Sequence, residues 1–489
     1  MSHQLPVLLF LFPLFAAISM PVVCLRHNER CVPIALSVTA VMVVLSILNL
    51  VMVLKYGEVR YAFSGWAPPL GIEWVADGLA SLMLVALSFL GLVTLLFSRA
   101  TAPTDLGHGV VYFYTLILLL ISALTGIVFA GDLFNLFVFL EVAALASYGL
   151  VGVSGGRALV AAFRYLILGT LGASFYLLGV SYFYAATGTL NMADISQQLP
   201  YLLTSKAVVG GLLFMFIGLS IKMALVPLHG WLPDAYTYAP ESVSPILASL
   251  MTKVALFGWI RIIFWVLGAD AVVYHIPILL MINTLGILAA VIGAFLALTQ
   301  SDVKRMFAYG GISHIGIILI GVSQGNRTGF VGGVFYLLND AIMQATLFFL
   351  AGLAVVQYGV RGVDDLWKLR GQSVWITGGF IIAAMSMIGL PPTGGFFGKW
   401  YIILGSLEAN NYLAVGAVLL STVLTLAYFV KLFERLFREH PGASDLPRQT
   451  MPLSLQWSLG VVSVVMIALG LWSDPIVGFL LSKTLPVGL

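Results

Sequence analysis

About fourteen apolar runs follow one another along this chain, each of roughly the 20 residues that a helix needs to cross the hydrocarbon core of a bilayer. They fall near 5–24, 33–54, 77–98, 109–130, 132–153, 160–186, 207–228, 244–267, 272–299, 303–323, 329–357, 374–404, 412–437 and 453–482. Inside lipid every backbone polar group must be satisfied within the protein, which leaves helices and closed barrels, and these runs are too long and too apolar for barrel strands. With 489 residues, 61% of them hydrophobic and only 9% charged, the chain has too few polar groups to cover a soluble surface. The expected fold class is an all-α polytopic membrane protein. Met1 to Val23 lacks a basic leader and a small-residue cleavage site, so it reads as the first transmembrane helix rather than a signal peptide.

Loop charge sets the expected orientation. Odd-numbered loops carry Arg26, Arg30, Arg99, Arg157, Arg164, Lys304, Arg305, Arg361, Lys368, Arg370, Lys431, Arg435, Arg438 and Arg448, whereas even-numbered loops carry only Lys55, Arg60, Lys206, Arg261 and Arg327. Positive charge is retained on the cytoplasmic side. Odd loops are therefore expected in the cytoplasm of a prokaryotic cell, with both termini outside it and the chain in the inner membrane.

A faint echo divides the chain. Ala162 to Leu166 resembles Val334 to Leu338 about 172 residues later, and Asp132 and Asp302, about 170 residues apart, each open a helix. Helix breakers at Pro227 and at Pro391-Pro392 sit at comparable places. The division expected is 1–108 for the first three helices, 109–267 and 272–440 for two five-helix repeats, and 450–489 for a last helix. Five is odd, so the second repeat must be inverted in the membrane, each repeat having one broken helix. Paired broken helices in inverted repeats are a recurring transporter design, with the ion site at the breaks.

Against this apolar background, Glu141, Lys222, Lys253 and Lys399 lie within the spans. A charge at that depth costs on the order of 3 kcal/mol even on a lenient scale, and such groups mark ion or proton paths. Lys222 stands five residues before Pro227, where proline frees a backbone carbonyl that a lysine can satisfy. Glu141, about ten residues into its helix and out of reach of water, is its natural partner. Lys253 lies about ten residues into the next span among the small residues Ala248, Ser249 and Thr252, and reads as an unpaired lysine repelled by its neighbours in a relay. Lys399 follows Pro391-Pro392 and Gly394-Gly395 and reads as the last lysine of the line.

His314 is placed to bridge Lys253 and Lys399 through water. Asp340, a second deep carboxylate, is a candidate partner for Lys399 or His314. His229 and Asp234 flank the first break as a sealing loop. The only cysteines, Cys24 and Cys31, bracket the first loop and form no metal-ligand pattern. No phosphate-binding or dinucleotide motif stands out. No cofactor, metal or nucleic-acid partner is expected; the partners expected are protons, lipid and other membrane proteins.

The segments GDLFNLFVFLEV, AAFRYLILG, KMALVPLHGWLPDAY, SLMTKVALFGWIR, SDVKRMFAYGGISHIG and GLPPTGGFFGKW, in that order, resemble the antiporter-like subunits shared by Mrp cation/proton antiporters and respiratory complex I. TGTLNMAD and MTKV look most like the D-type member of the Mrp set. The resemblance implies that Glu141 and Lys222 form an ion pair, that Lys253 connects, that Lys399 belongs to the second broken helix, and that His314 lies on the proton path. Many relatives carry a histidine and a lysine where Asp340 and Gln344 stand, so a relay here would need Asp340 or water. The implied function is proton translocation within a multi-subunit Na+/H+ antiporter: a transporter subunit rather than an enzyme. The alternative is a proton-pumping arm of an NADH:quinone oxidoreductase or a membrane-bound hydrogenase, with redox chemistry on other chains.

Overall fold

The computed structural model describes residues 4–440 and 450–489, so Arg448 of the charge pattern lies outside the described residues. Among the described residues twelve helices are long and apolar enough to cross a membrane, from Leu5–Cys24 to Leu453–Leu471. Two further passages are interrupted. Lys206–Lys222 stops at the first break and resumes as Leu232–Tyr238, and Val374–Ile388 stops at the second and resumes as Gly394–Glu408. Counted with the twelve, these give the fourteen passages expected.

The helices Val110–Phe129, Ser244–Tyr274, Val303–Val322 and Arg327–Tyr358 are mostly buried and form the centre of the bundle. Leu5–Cys24 and Asn28–Tyr56 lie at its edge with Phe15, Ile18, Val22, Val44 and Val51 exposed, as a lipid-facing surface requires. Strands also occur: Val59–Ala62 and Glu73–Ala76 pair as an antiparallel hairpin in the second loop. Its Trp74 bridges to Ala130, and the Glu73 carboxylate accepts a 2.7 Å hydrogen bond from Asn191. The two cysteines are free and buried.

The two aspartates singled out by the sequence echo do the same work in both halves. Asp132 accepts from the amides of Phe134 and Asn135, and Asp302 accepts from that of Arg305, so each caps a helix whose first amides have no partner within the helix. Each also forms a backbone bridge to a later loop, Asp132 with Asn191 and Asp302 with Gly362.

Behind the first broken helix the packing is backbone to backbone. A Cβ on Gly179 would lie 2.5 Å from the Gly211 carbonyl, and one on Gly218 would lie 2.5 Å from that of Gly172. Small residues allow such approach in lipid, where dispersion and close contact replace the hydrophobic effect between helices.

Candidate functional site: ionisable groups inside the bundle

The first broken helix ends at Lys222, and the chain loops through Met223 to Trp231 before turning helical again. Ending a helix frees carbonyls that need donors. Here the indole of Trp231 donates to the Ile221 carbonyl at 2.8 Å, its ring stacked on Tyr165. Lys222 donates to no backbone carbonyl among the described residues, contrary to the expectation from the proline. Lys222 Nζ instead pairs with Glu141 Oε1 at 2.8 Å. The pair is lopsided: the Lys222 side chain is 2% exposed and that of Glu141 25%. Glu141 lies three residues after Val138 and four before Leu145, both exposed, so it sits on the outward edge of its helix. It is not sealed from the lateral surface as expected from its depth alone.

The second break uses the opposite solution. Lys399 Nζ donates to the carbonyls of Met387 at 2.8 Å and Ile388 at 3.2 Å, and to Thr422 Oγ1 at 3.1 Å. The ammonium thus closes the end of Val374–Ile388. Asp340 is not its ion-pair partner: that carboxylate pairs with Lys253.

Lys253 follows a π-helical turn, Leu247–Met251, and donates to the Ala248 carbonyl at 2.8 Å. It is not unpaired: Asp340 Oδ2 lies 2.9 Å from its ammonium, with both side chains almost fully buried. The other oxygen of Asp340 lies 3.1 Å from His314 Nδ1, and the Tyr336 hydroxyl lies 3.0 Å from the same nitrogen. His314 is therefore joined to Lys253 through a carboxylate rather than through water. Its Nε2 is buried without a protein partner, as are Gln344 Nε2 and the hydroxyls of Ser220, Tyr148 and Tyr165. Ser147, on the Glu141 helix, reaches Met251, two residues before Lys253. Buried polar atoms of this kind need partners, and ordered water commonly supplies them.

Asp234 takes Arg164 at 2.8 Å and Arg305 at 3.1 Å, tying the end of the first break to the helix that opens at Asp302. His229 is half-buried, its ring edge-on to Tyr309. Among the described residues no group of three or more metal-ligating side chains is found.

Besides those of Asp234, three pairings of interior cations escaped the sequence reading. The first is Lys253 with Asp340. The second is Arg261 with Asp77: Arg261, read as a loop cation, is buried in the Ser244–Tyr274 helix. The third is Lys304 with Glu241 at 3.0 Å, again with both side chains buried. The one visible signal for the last was a glutamate between two prolines in YAPESVSP, just before the Lys253 helix.

Residues 130–425 match the family model described as NADH:quinone oxidoreductase/Mrp antiporter, transmembrane region. The chain belongs to this family. It is 38% identical to the N-type chain of an NADH-quinone oxidoreductase from Desulforudis audaxviator, over 99% of both chains. It is 32% identical to the D-type chain of a Na(+)/H(+) antiporter from Alkalihalophilus pseudofirmus, over 80% of this chain and 78% of that one. Among solved structures it superposes on a chain of the Mrp complex from Dietzia sp. with a TM-score of 0.88 at 26% identity, covering 98% of this chain and 96% of that one. The family members therefore divide between antiporters and redox complexes, and this chain is an antiporter-like membrane subunit of that family.

Proposed function

We propose that the chain is the proton-translocating subunit of a multi-subunit monovalent-cation/proton antiporter, with Na+ as the exchanged cation. The observation that carries this reading is a set of ionisable groups inside the bundle: the Glu141–Lys222 pair, the Lys253–Asp340–His314 trio, and Lys399 on the carbonyls of the second break. Each is too costly in lipid to persist without a use. The Na+/H+ antiporter relative at 32% identity supports the choice of cation.

In the closed pair the Glu141 carboxylate stabilises a charged Lys222. When the pair opens, the Lys222 ammonium loses its counter-charge and its proton moves on along the line. The next charged group, Lys253, already has Asp340, so an arriving proton is shared between Asp340 and His314. The histidine can receive on one ring nitrogen and release from the other. Lys399, held by carbonyls rather than by a carboxylate, is the last group of the line. Glu141, at the lateral edge, is where a neighbouring subunit's charge would act on the pair. In this reading 109–267 and 272–440 are inverted halves, odd loops face the cytoplasm, and other membrane subunits complete the complex.

The test is exchange by the whole complex in proteoliposomes. Lys222→Ala should abolish Na+-driven proton movement while the complex still assembles; wild-type exchange in an assembled Lys222→Ala complex would remove the relay. A second reading, the pumping arm of a redox enzyme, is favoured by the 38% relative named as a quinone oxidoreductase subunit. Proton movement that needs an electron donor and ignores Na+ would select it.

A further inference from the structure

A cavity of about 220 Å³ opens between the start of the Val303–Val322 helix, the end of Arg327–Tyr358 and the segment before Ser244. Its rim carries the exposed arginines Arg157 and Arg361, and its floor carries Lys304 and Glu241, only 5% and 6% exposed. Lys304 Nζ lies 3.0 Å from Glu241 Oε2 and donates to the Ala239 carbonyl at 2.8 Å. This is the chemistry of the Glu141–Lys222 pair repeated at a place that the surface can reach.

From this floor two helices lead inward. The Lys253 helix begins at Ser244, three residues after Glu241. On Arg327–Tyr358, Gly352 leaves room for Glu241, since a Cβ there would lie 3.3 Å from the Glu241 Cβ, and Asp340 lies twelve residues deeper on the same helix. Twelve helical residues span about 18 Å. Polar atoms occur along the way: Thr237 Oγ1 beside the cavity and Gln344 Nε2 four residues from Asp340 are both buried without protein partners. A buried lysine–carboxylate pair alone is weak support for a structural role, because desolvation offsets much of the attraction. A pair at the floor of a cavity with an arginine rim is better suited to exchange protons with the aqueous phase.

We infer that Glu241, held by Lys304, is a proton-loading site: it takes protons from the cavity and passes them by Gln344 and bridging water to Asp340 and His314. The step moves one proton between carboxyl and water and needs no other reactant. The charged groups facing it are Lys304, Arg305 and Asp302 from the Val303–Val322 helix and its cap, Arg157 from the start of Arg157–Thr187, and Arg361 from the loop beyond Arg327–Tyr358. The inference rests on the transport reading proposed for the chain.

Two arms test it on the intact complex. In proteoliposomes, Glu241→Gln should slow exchange at least tenfold, with Glu241→Asp recovering most of the rate. In pH-difference infrared spectra, which require no transport, a titrating carboxyl band should be present in wild type and absent in Glu241→Gln. An unchanged rate in Glu241→Gln, equal loss in both variants, or an unchanged carboxyl band would overturn the inference. A wild-type complex without exchange defeats the transport reading instead, and the infrared arm then decides on Glu241 alone.

Discussion

Asp340→Asn isolates one charge at the centre of the molecule. Asparagine keeps the shape and can still bond His314, but leaves the Lys253 ammonium, 2.9 Å away, without a counter-charge. At that separation the Coulomb attraction is about 6 kcal/mol with an effective dielectric of about 20. Removing one partner of a buried pair is measured at about 3–5 kcal/mol. Asp340→Asn should therefore destabilise the complex by roughly 3–5 kcal/mol. Lys253→Met should also destabilise it, by leaving the carboxylate alone. The double variant should lie closer to wild type than either single variant, because no unpaired charge is left buried. Titration with SDS in mixed micelles, followed by tryptophan fluorescence, gives all three values and the coupling between them. Losses that simply add, with no coupling, would show that the ammonium and the carboxylate do not stabilise one another and would refute the argument. Exchange should be lost in all three variants, which separates folding from transport.

Two further outcomes follow from single contacts. Gly395→Ala places a Cβ against the Ser386 carbonyl within the second break, so it should destabilise that passage by about 1–3 kcal/mol, as overpacking does, and the same SDS titration reads it. Tyr336→Phe removes the hydroxyl at 3.0 Å from His314 Nδ1, a hydrogen bond contributing about 1 kcal/mol. Exchange should slow less than about tenfold and the complex should stay assembled; complete loss of exchange would give the hydroxyl a direct part in proton movement.

How much of this was legible depends on the kind of signal. Passage count and breaks were visible, because length in apolar residues and proline act locally. Glu141 and Lys222 were matched by depth and by the family resemblance, and the structure places them in contact. Depth could not match Lys253 with Asp340. The two stand on helices 87 residues apart in sequence, and nothing in either helix shows which residues will face each other. The broken ends show the same limit. Both free carbonyls, yet Trp231 serves one and Lys399 serves the other, a choice made by side-chain reach in three dimensions. Arg261 and Lys304 look like loop cations because each lies near a span end; only their carboxylates, Asp77 and Glu241, draw them inside. The hairpin at Val59–Ala76 was hidden for the simpler reason that eight paired residues carry little periodic signal.

The backbone contact between Arg157–Thr187 and Lys206–Lys222 has a consequence for how the protein meets its lipid. With Gly172 against Gly218 and Gly179 against Gly211, neither helix can slide or tilt past the other without backbone collision. The usual response of a helix to a bilayer of the wrong thickness is to tilt. This pair must answer mismatch as one rigid board, tilting together rather than one helix against the other. The height of Lys222 relative to Arg157–Thr187 is then fixed by glycine, and should hold constant in thin and thick membranes alike.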